Sequence, residues 1–349
     1  MADEIRQQPE ALRRTIEAGI ETVAELRRRF EKQRPRMVVL AARGTSDNAA
    51  QFGRYLLEIT TGIPVSLSAP STLTLYGSHV NYRDALVVGI SQSGESTDIN
   101  ALVADARDCG AMTIGITNEP ESSLTKTVDC VLRVRAGREQ SVAATKSYTG
   151  QLAAIYLLGY ALGAPIDLDE LRRLPTRVES VLNREEQIAE AAARYRFMTR
   201  AMSIGRGLNY CTALEFGLKL METCYVSADH FSAADLLHGP IAVVEDAFPA
   251  FVFAPRGITW PSVRDLIERL GRLGAETLVF SDVPEAETRG LPASIISLPA
   301  SGPASAQPED LYTPIPLIVP AQLFCAHLAT SKGLNPDTPR GLSKVTLTM

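Results

Sequence analysis

At 349 residues, 45% of them apolar and 21% charged, the chain has the balance of a globular protein with room for one large core or two ordinary domains, which excludes a disordered polypeptide. A net charge of −5 leaves no electrostatic footprint for nucleic acid, so an anionic ligand must be held by local geometry. Five scattered cysteines (Cys109, Cys130, Cys211, Cys224 and Cys325) suit reduced thiols, no export signal is visible, and Pro314, Pro316 and Pro320 interrupt the best membrane-span candidate; a cytoplasmic protein without a membrane partner is expected.

The first predicted element is a helix over 8–33, with Leu12, Ile16, Ile20, Val23 and Leu26 on one face. A buried strand over 37–42 leaves through Gly44-Thr45-Ser46 into a helix over 47–59. Strands follow at 64–67 and 85–90, then a helix over 97–109 closed by Gly110, then strands at 112–117 and 130–134. This alternation predicts a parallel sheet covered by helices. A mostly apolar helix over 146–162 precedes a charged helical stretch over 166–194 that suits an inter-domain connection.

A second domain starts near Phe197 and repeats the first. A shift of roughly 163 positions lays Arg206-Gly207 on Arg43-Gly44 and Ala254-Pro255-Arg256-Gly257 on Ser91-Gln92-Ser93-Gly94, the mark of a duplicated unit. The expected organisation is an N-terminal helix over 1–35, a first α/β domain over 36–165, a helical linker over 166–195, a second α/β domain over 196–335 and a tail over 336–349.

Strand 85–90 runs into Ser91-Gln92-Ser93-Gly94-Glu95-Ser96 and then a helix start, a pattern that offers backbone N–H groups, a helix dipole and hydroxyls to one phosphate. No lysine accompanies it, which argues against a nucleotide P-loop. The second copy replaces two hydroxyls and one backbone donor, so only the first keeps the cradle.

Between residues 210 and 240 lie Glu215, Lys219, Glu222, Asp229, His230, Asp235 and His238. Glu215, Lys219 and Glu222 recur at helical intervals and line one face, where an ordinary surface Glu-Lys pair is the alternative. His238 sits in a Gly-Pro turn, where a structural imidazole is the usual outcome. No His/Cys/Asp set has metal-ligand spacing, so neither metal nor cofactor is expected. The apolar content of the C-terminal segment favours docking over a frayed end.

Six ordered segments carry a family resemblance: Arg43-Gly44-Thr45-Ser46, Ile90 to Ser96, Val142-Ala143-Ala144-Thr145-Lys146, Ala213 to Glu222, His238-Gly239-Pro240 and Pro339 to Lys344. In these the chain resembles the sugar isomerase (SIS) family, and within it the isomerase domains of the glutamine:fructose-6-phosphate aminotransferases. The resemblance implies two tandem SIS subdomains, each a five-stranded parallel sheet in a three-layer αβα arrangement, with a hexose 6-phosphate in the first. It assigns Ser46, Ser91, Gln92, Ser93 and Ser96 to the phosphate and Thr45 and Val142 to the sugar. It further assigns Glu222 to proton transfer between C1 and C2, His238 to ring opening from the neighbouring subunit of a homodimer, Lys219 to the reacting end, and Lys344 to an imine in a tail that closes the site.

Ala144 departs from the family's serine, and no nucleophilic cysteine follows Met1. With the sequence starting at the isomerase half, the expected activity is the reverse one: an isomerising deaminase turning glucosamine 6-phosphate and water into fructose 6-phosphate and ammonia. The alternatives are an aminotransferase-type isomerase subunit, a fructosamine-6-phosphate deglycase, a galactosamine-6-phosphate deaminase and a non-catalytic sugar-phosphate sensor.

Overall fold

The computed structural model describes residues 1–303 and 306–344, divided into two compact units. The first comprises Glu10–Gln140 and Ala144–Arg172 together with Ser343 and Lys344. The second comprises Met1–Pro9, Ser141–Ala143 and Arg173–Leu342.

In the first unit β1 (Met37–Ala41), β2 (Val65–Leu67), β3 (Ala85–Ile90), β4 (Met112–Thr117) and β5 (Cys130–Arg133) form one parallel sheet in the order β2-β1-β3-β4-β5. All six residues of β3 are buried, which is why it reads as a continuous apolar run instead of an alternating one. On one face Val39 and Val87 pack under Ile99, Leu102 and Val103 of the helix Thr97–Asp108. On the other lie the helices Thr45–Thr61 and Lys146–Ala161, joined by an edge contact of Phe52 and Tyr156 at 4.9 Å. Truncating a buried residue such as Leu102 to alanine costs about 2–5 kcal/mol.

The second unit repeats this plan with β6 (Arg200–Gly205), β7 (Ser227–Ser232), β8 (Pro249–Ala254), β9 (Glu276–Ser281) and β10 (Ser294–Ser297), ordered β10-β9-β8-β6-β7 and all parallel. One face carries an aromatic cluster in which Phe216 meets Phe251 at 5.1 Å and Phe324 at 5.8 Å, and the other packs Val263, Leu266 and Ile267 on Met202 and Val252. Two tandem five-stranded parallel sheets between helices are thus present, as the alternation predicts.

Three local features differ from the sequence reading. The first-domain helix starts at Thr45, so Thr45 and Ser46 belong to its first turn. The stretch 166–194 forms two helices, Leu168–Leu182 and Glu185–Arg194, the second burying Ile188 and Ala192. Pro314 and Pro316 do not interrupt a helix; they begin one, Pro314–Ser331, where a missing N–H costs no bond, and Pro320 lies inside it. By length and composition alone that helix could span a bilayer, but 83% of it is buried inside the protein.

Candidate active site

After β1 the chain moves to β2, then returns to place β3 on the other side of β1; the strand order reverses between β1 and β3, where open α/β sheets hold ligands at the carboxyl ends of strands. Both serine-bearing segments leave the sheet there. The Ser91 and Ser96 hydroxyls lie 3.1 Å apart, Gly94 N donates to Ser91 Oγ at 3.1 Å, and Glu95 N donates to Ser93 Oγ at 3.3 Å. Ser96 is the N-cap residue of the helix Thr97–Asp108 and makes no side-chain cap. The amides of Ser93 and Ser96 find no acceptor among the described residues, so they and the helix dipole are available to an anion. Gly94 has φ +66°, and a Cβ there would fall 2.1 Å from Ser122 Oγ, so the turn admits only glycine.

The neighbouring loop after β1 is tied to this turn. Arg43 Nε donates to the buried Asp98 at 2.8 Å, and Gln151 donates to Ser46 Oγ at 2.9 Å. Ser46, Ser91, Gln92, Ser93 and Ser96 therefore stand at one switch point, with Thr45 beside Ser46.

The equivalent point in the second unit, between β6 and β8, is closed by its own chain. Asp282 accepts the amides of Arg256 at 2.9 Å and Ser301 at 3.0 Å, while the Arg256 guanidinium donates to the Gly302 carbonyl. Asp310 is buried nearby, and burial followed by the proximity of Asp282 and Glu309 pushes its carboxyl up to about 6.

The second unit carries its chemistry on the helix Tyr210–Cys224. Lys219 Nζ lies 3.1 Å from Glu215 Oε1 and 2.7 Å from Glu222 Oε2, with Lys219 and Glu215 fully buried and Glu222 23% exposed. Burial opposes the lysine's charge, yet the two carboxylates outweigh it and hold the ammonium above the ordinary lysine range. Lys219 is therefore a fixed cation, and Glu222 is the one member of the triad that reaches solvent. His238 follows the short helix Ala233–Leu237; it is exposed and makes no side-chain hydrogen bond or ion pair among the described residues.

Val142 donates its amide to Asp337 O at 3.1 Å in the second unit. In the first unit Lys344 Nζ lies 3.0 Å from Glu139 Oε2. Sequence reasoning missed Glu139: a carboxylate shortly before an apolar helix was its only signal, and nothing in its spacing announces a partner some two hundred residues away. Residues 345–349 of the expected tail lie outside the described residues. Among the described residues no three His, Cys, Asp or Glu side chains gather to hold a metal ion.

A duplicated parallel α/β fold with a serine-rich, anion-accepting turn at one switch point defines a class of tandem α/β proteins, and sequence comparison assigns the chain within it. The SIS domain profile matches residues 32–161 and 198–312, and the chain belongs to that family. It is 35% identical over 345 residues to the glutamine–fructose-6-phosphate aminotransferase (isomerizing) of Methanothermobacter thermautotrophicus, covering 99% of this chain and 56% of that protein. The chain thus spans little more than half the length of that relative. It superposes on the C-terminal domain of the glucosamine-fructose-6-phosphate aminotransferase of Francisella tularensis with a TM-score of 0.87 at 27% identity, covering 97% of each. A glucosamine-6-phosphate deaminase of Thermotoga maritima shares the fold, with a TM-score of 0.70 at 21% identity over 96% of this chain and all of that one.

Proposed function

We propose that the chain is a sugar-phosphate aldose–ketose isomerase of the aminotransferase type, forming glucosamine 6-phosphate from fructose 6-phosphate and ammonia. Alignment of 99% of this chain with part of an aminotransferase supports the forward reading over the deaminase expected from the sequence, and the deaminase likeness is one of fold. The observation that carries the reading is Glu222, a half-buried carboxylate paired with a fixed lysine and still open to solvent.

In this reading the cradle takes the 6-phosphate and His238 helps open the ring. Lys344 condenses with the C2 carbonyl and water leaves; ammonia then displaces the lysine amine, giving a C2 imine. Glu222 takes a proton from C1 and returns it to C2, leaving an aldehyde at C1 and an amine at C2. Lys219 orients Glu222 through their ion pair, and Lys344 holds the carbonyl end as an imine before ammonia replaces it. No metal or organic cofactor enters these steps. The substrate-side partner is a hexose 6-phosphate and the protein partner a second copy of the chain. Exposed Leu237 and Val243 beside exposed His238 favour a covering subunit there.

Incubation with fructose 6-phosphate in deuterated water, with and without ammonium, tests the reading. Deuterium entry at C1 and ammonium-dependent glucosamine 6-phosphate are expected. Ammonia release from glucosamine 6-phosphate with no synthesis from excess ammonium would return the assignment to the deaminase, and binding without any exchange would mark a sensor.

A further inference from the structure

A second site lies in the first unit at the opposite end of the sheet from the serine cradle. The amino ends of β1, β3 and β4 and the end of the helix Gln8–Lys32 enclose a cavity of about 670 Å³, a volume typical of small-molecule sites. Arg29, Arg34, Arg36 and Arg107 line it, against the two carboxylates of Asp84 and Asp129. A local excess of positive charge in a chain of net charge −5 is the reverse of the surface average.

The four arginines fall into two pairs. Arg34 donates to the Thr61 carbonyl at 2.6 Å, and Arg107 donates to the Thr127 carbonyl at 3.0 Å and lies 3.1 Å from Asp129, so both guanidiniums are fixed in place. Asp129 is further occupied by the Thr113 amide and hydroxyl, each at 2.9 Å. Arg29 and Arg36 are exposed, and their side chains make no hydrogen bond or ion pair among the described residues. Beneath them Phe30, Leu86 and Ala111 provide an apolar floor.

We propose that this cavity binds a small di- or triphosphate, its oxygens taken by Arg29 and Arg36 in the fork geometry that guanidiniums offer to phosphate. Two unsatisfied cations match more than one phosphate charge, and the apolar floor gives room for an organic group. The shared chemistry is the polyphosphate; a nucleoside diphosphate and inorganic pyrophosphate are its two sources.

Calorimetric titration of the full chain with ADP and with pyrophosphate, each in saturating fructose 6-phosphate to fill the cradle, tests this. One equivalent is expected to bind, at least tenfold more weakly in Arg29→Ala/Arg36→Ala, unchanged in Ser93→Ala, and more weakly as salt rises. Tighter ADP identifies the nucleotide as source, and equal affinities identify the inorganic ion. Wild-type affinity in the double arginine variant, with its melting temperature unchanged, overturns the proposal. So does binding that disappears when the cradle is filled or Ser93 is replaced.

Discussion

Lys344 and Glu139 form an ion pair at 3.0 Å whose acidic member is completely buried. The same carboxylate accepts the Thr145 amide at 2.9 Å, the Ser147 amide at 3.1 Å and the Ser147 hydroxyl at 2.6 Å, so one side chain both opens the helix Lys146–Ala161 and anchors the C-terminal lysine. Burial acts to raise the Glu139 carboxyl, but Lys344 and these hydrogen bonds outweigh it and hold the group below the usual range. Deleting residues 343–349 should abolish turnover and, because it leaves the buried Glu139 without its cation, cost about 3–5 kcal/mol of stability. Activity assays and thermal melts of the truncated protein check this; turnover retained by the folded, truncated protein would remove the tail's catalytic role.

The cradle predicts a change in affinity more than in chemistry. Ser93→Ala should raise KM for fructose 6-phosphate by the equivalent of about 1.5–3 kcal/mol and leave kcat close to its starting value. Gly94→Ala should be worse than Ser93→Ala, since its Cβ meets Ser122. Steady-state kinetics with phosphorylated and unphosphorylated sugar read both effects, and equal reactivity of the two sugars would remove the phosphate assignment.

Glu222→Gln keeps the side chain's size and removes the base. Turnover should fall by about 10²–10⁴-fold with sugar-phosphate affinity little changed, and hydrogen exchange at C1 and C2 should stop. Lys219→Met, by contrast, leaves the buried Glu215 without its cation and should cost about 3–5 kcal/mol of stability. Exchange followed by proton NMR and denaturant melts separate the two.

The exposed position of His238 gives a subunit-complementation prediction. Glu222→Gln and His238→Ala proteins, each nearly inactive, should regain a fraction of wild-type activity when unfolded, mixed and refolded together. No recovery from such a mixture would place His238 within the same subunit's chemistry or outside it.

Asp310 gives stability a pH dependence of defined sign. Its folded pKa, about 6, lies above its unfolded value, so the folded state holds the proton more tightly and stability declines as pH rises from about 4 through 6. Above that window the penalty is fully present, at most about 3 kcal/mol. Asp310→Asn should therefore gain on the wild type at pH 7.5 and match it near pH 4. Parallel denaturant titrations at the two pH values would show it, and an equal difference at both would rule out titration as the cause.

Strand and helix order were legible because β1, β3 and β4 are short, nearly all apolar and separated by glycine-bearing turns. The duplication was legible in Arg206-Gly207 and Ala254 to Gly257, and the closed β6–β8 switch point shows why the second copy could lose its serines. Contacts distant in sequence stayed hidden. Nothing in the spacing of Arg43 and Asp98 announces their 2.8 Å pair, and Pro314 and Pro316 look like breakers until their place in a first helical turn is seen. The Glu215–Lys219–Glu222 face was visible as a periodicity, but the complete burial of Glu215 and Lys219, which turns a surface pair into a fixed cation, depends on the surrounding fold.

The segmental makeup of the two units bears on how the chain is made. Met1–Pro9 fold with Arg173–Leu342, whereas Glu10 onward folds with residues as late as Lys344. Met1–Pro9 must wait during synthesis for partners that begin only at Ser141, whose amide donates to Glu4, and the first unit lacks the Glu139 counter-ion until translation passes Lys344. Cutting the gene between the two sheets would therefore hand each half a fragment of the other, and separately expressed halves should tend to aggregate unless synthesised together.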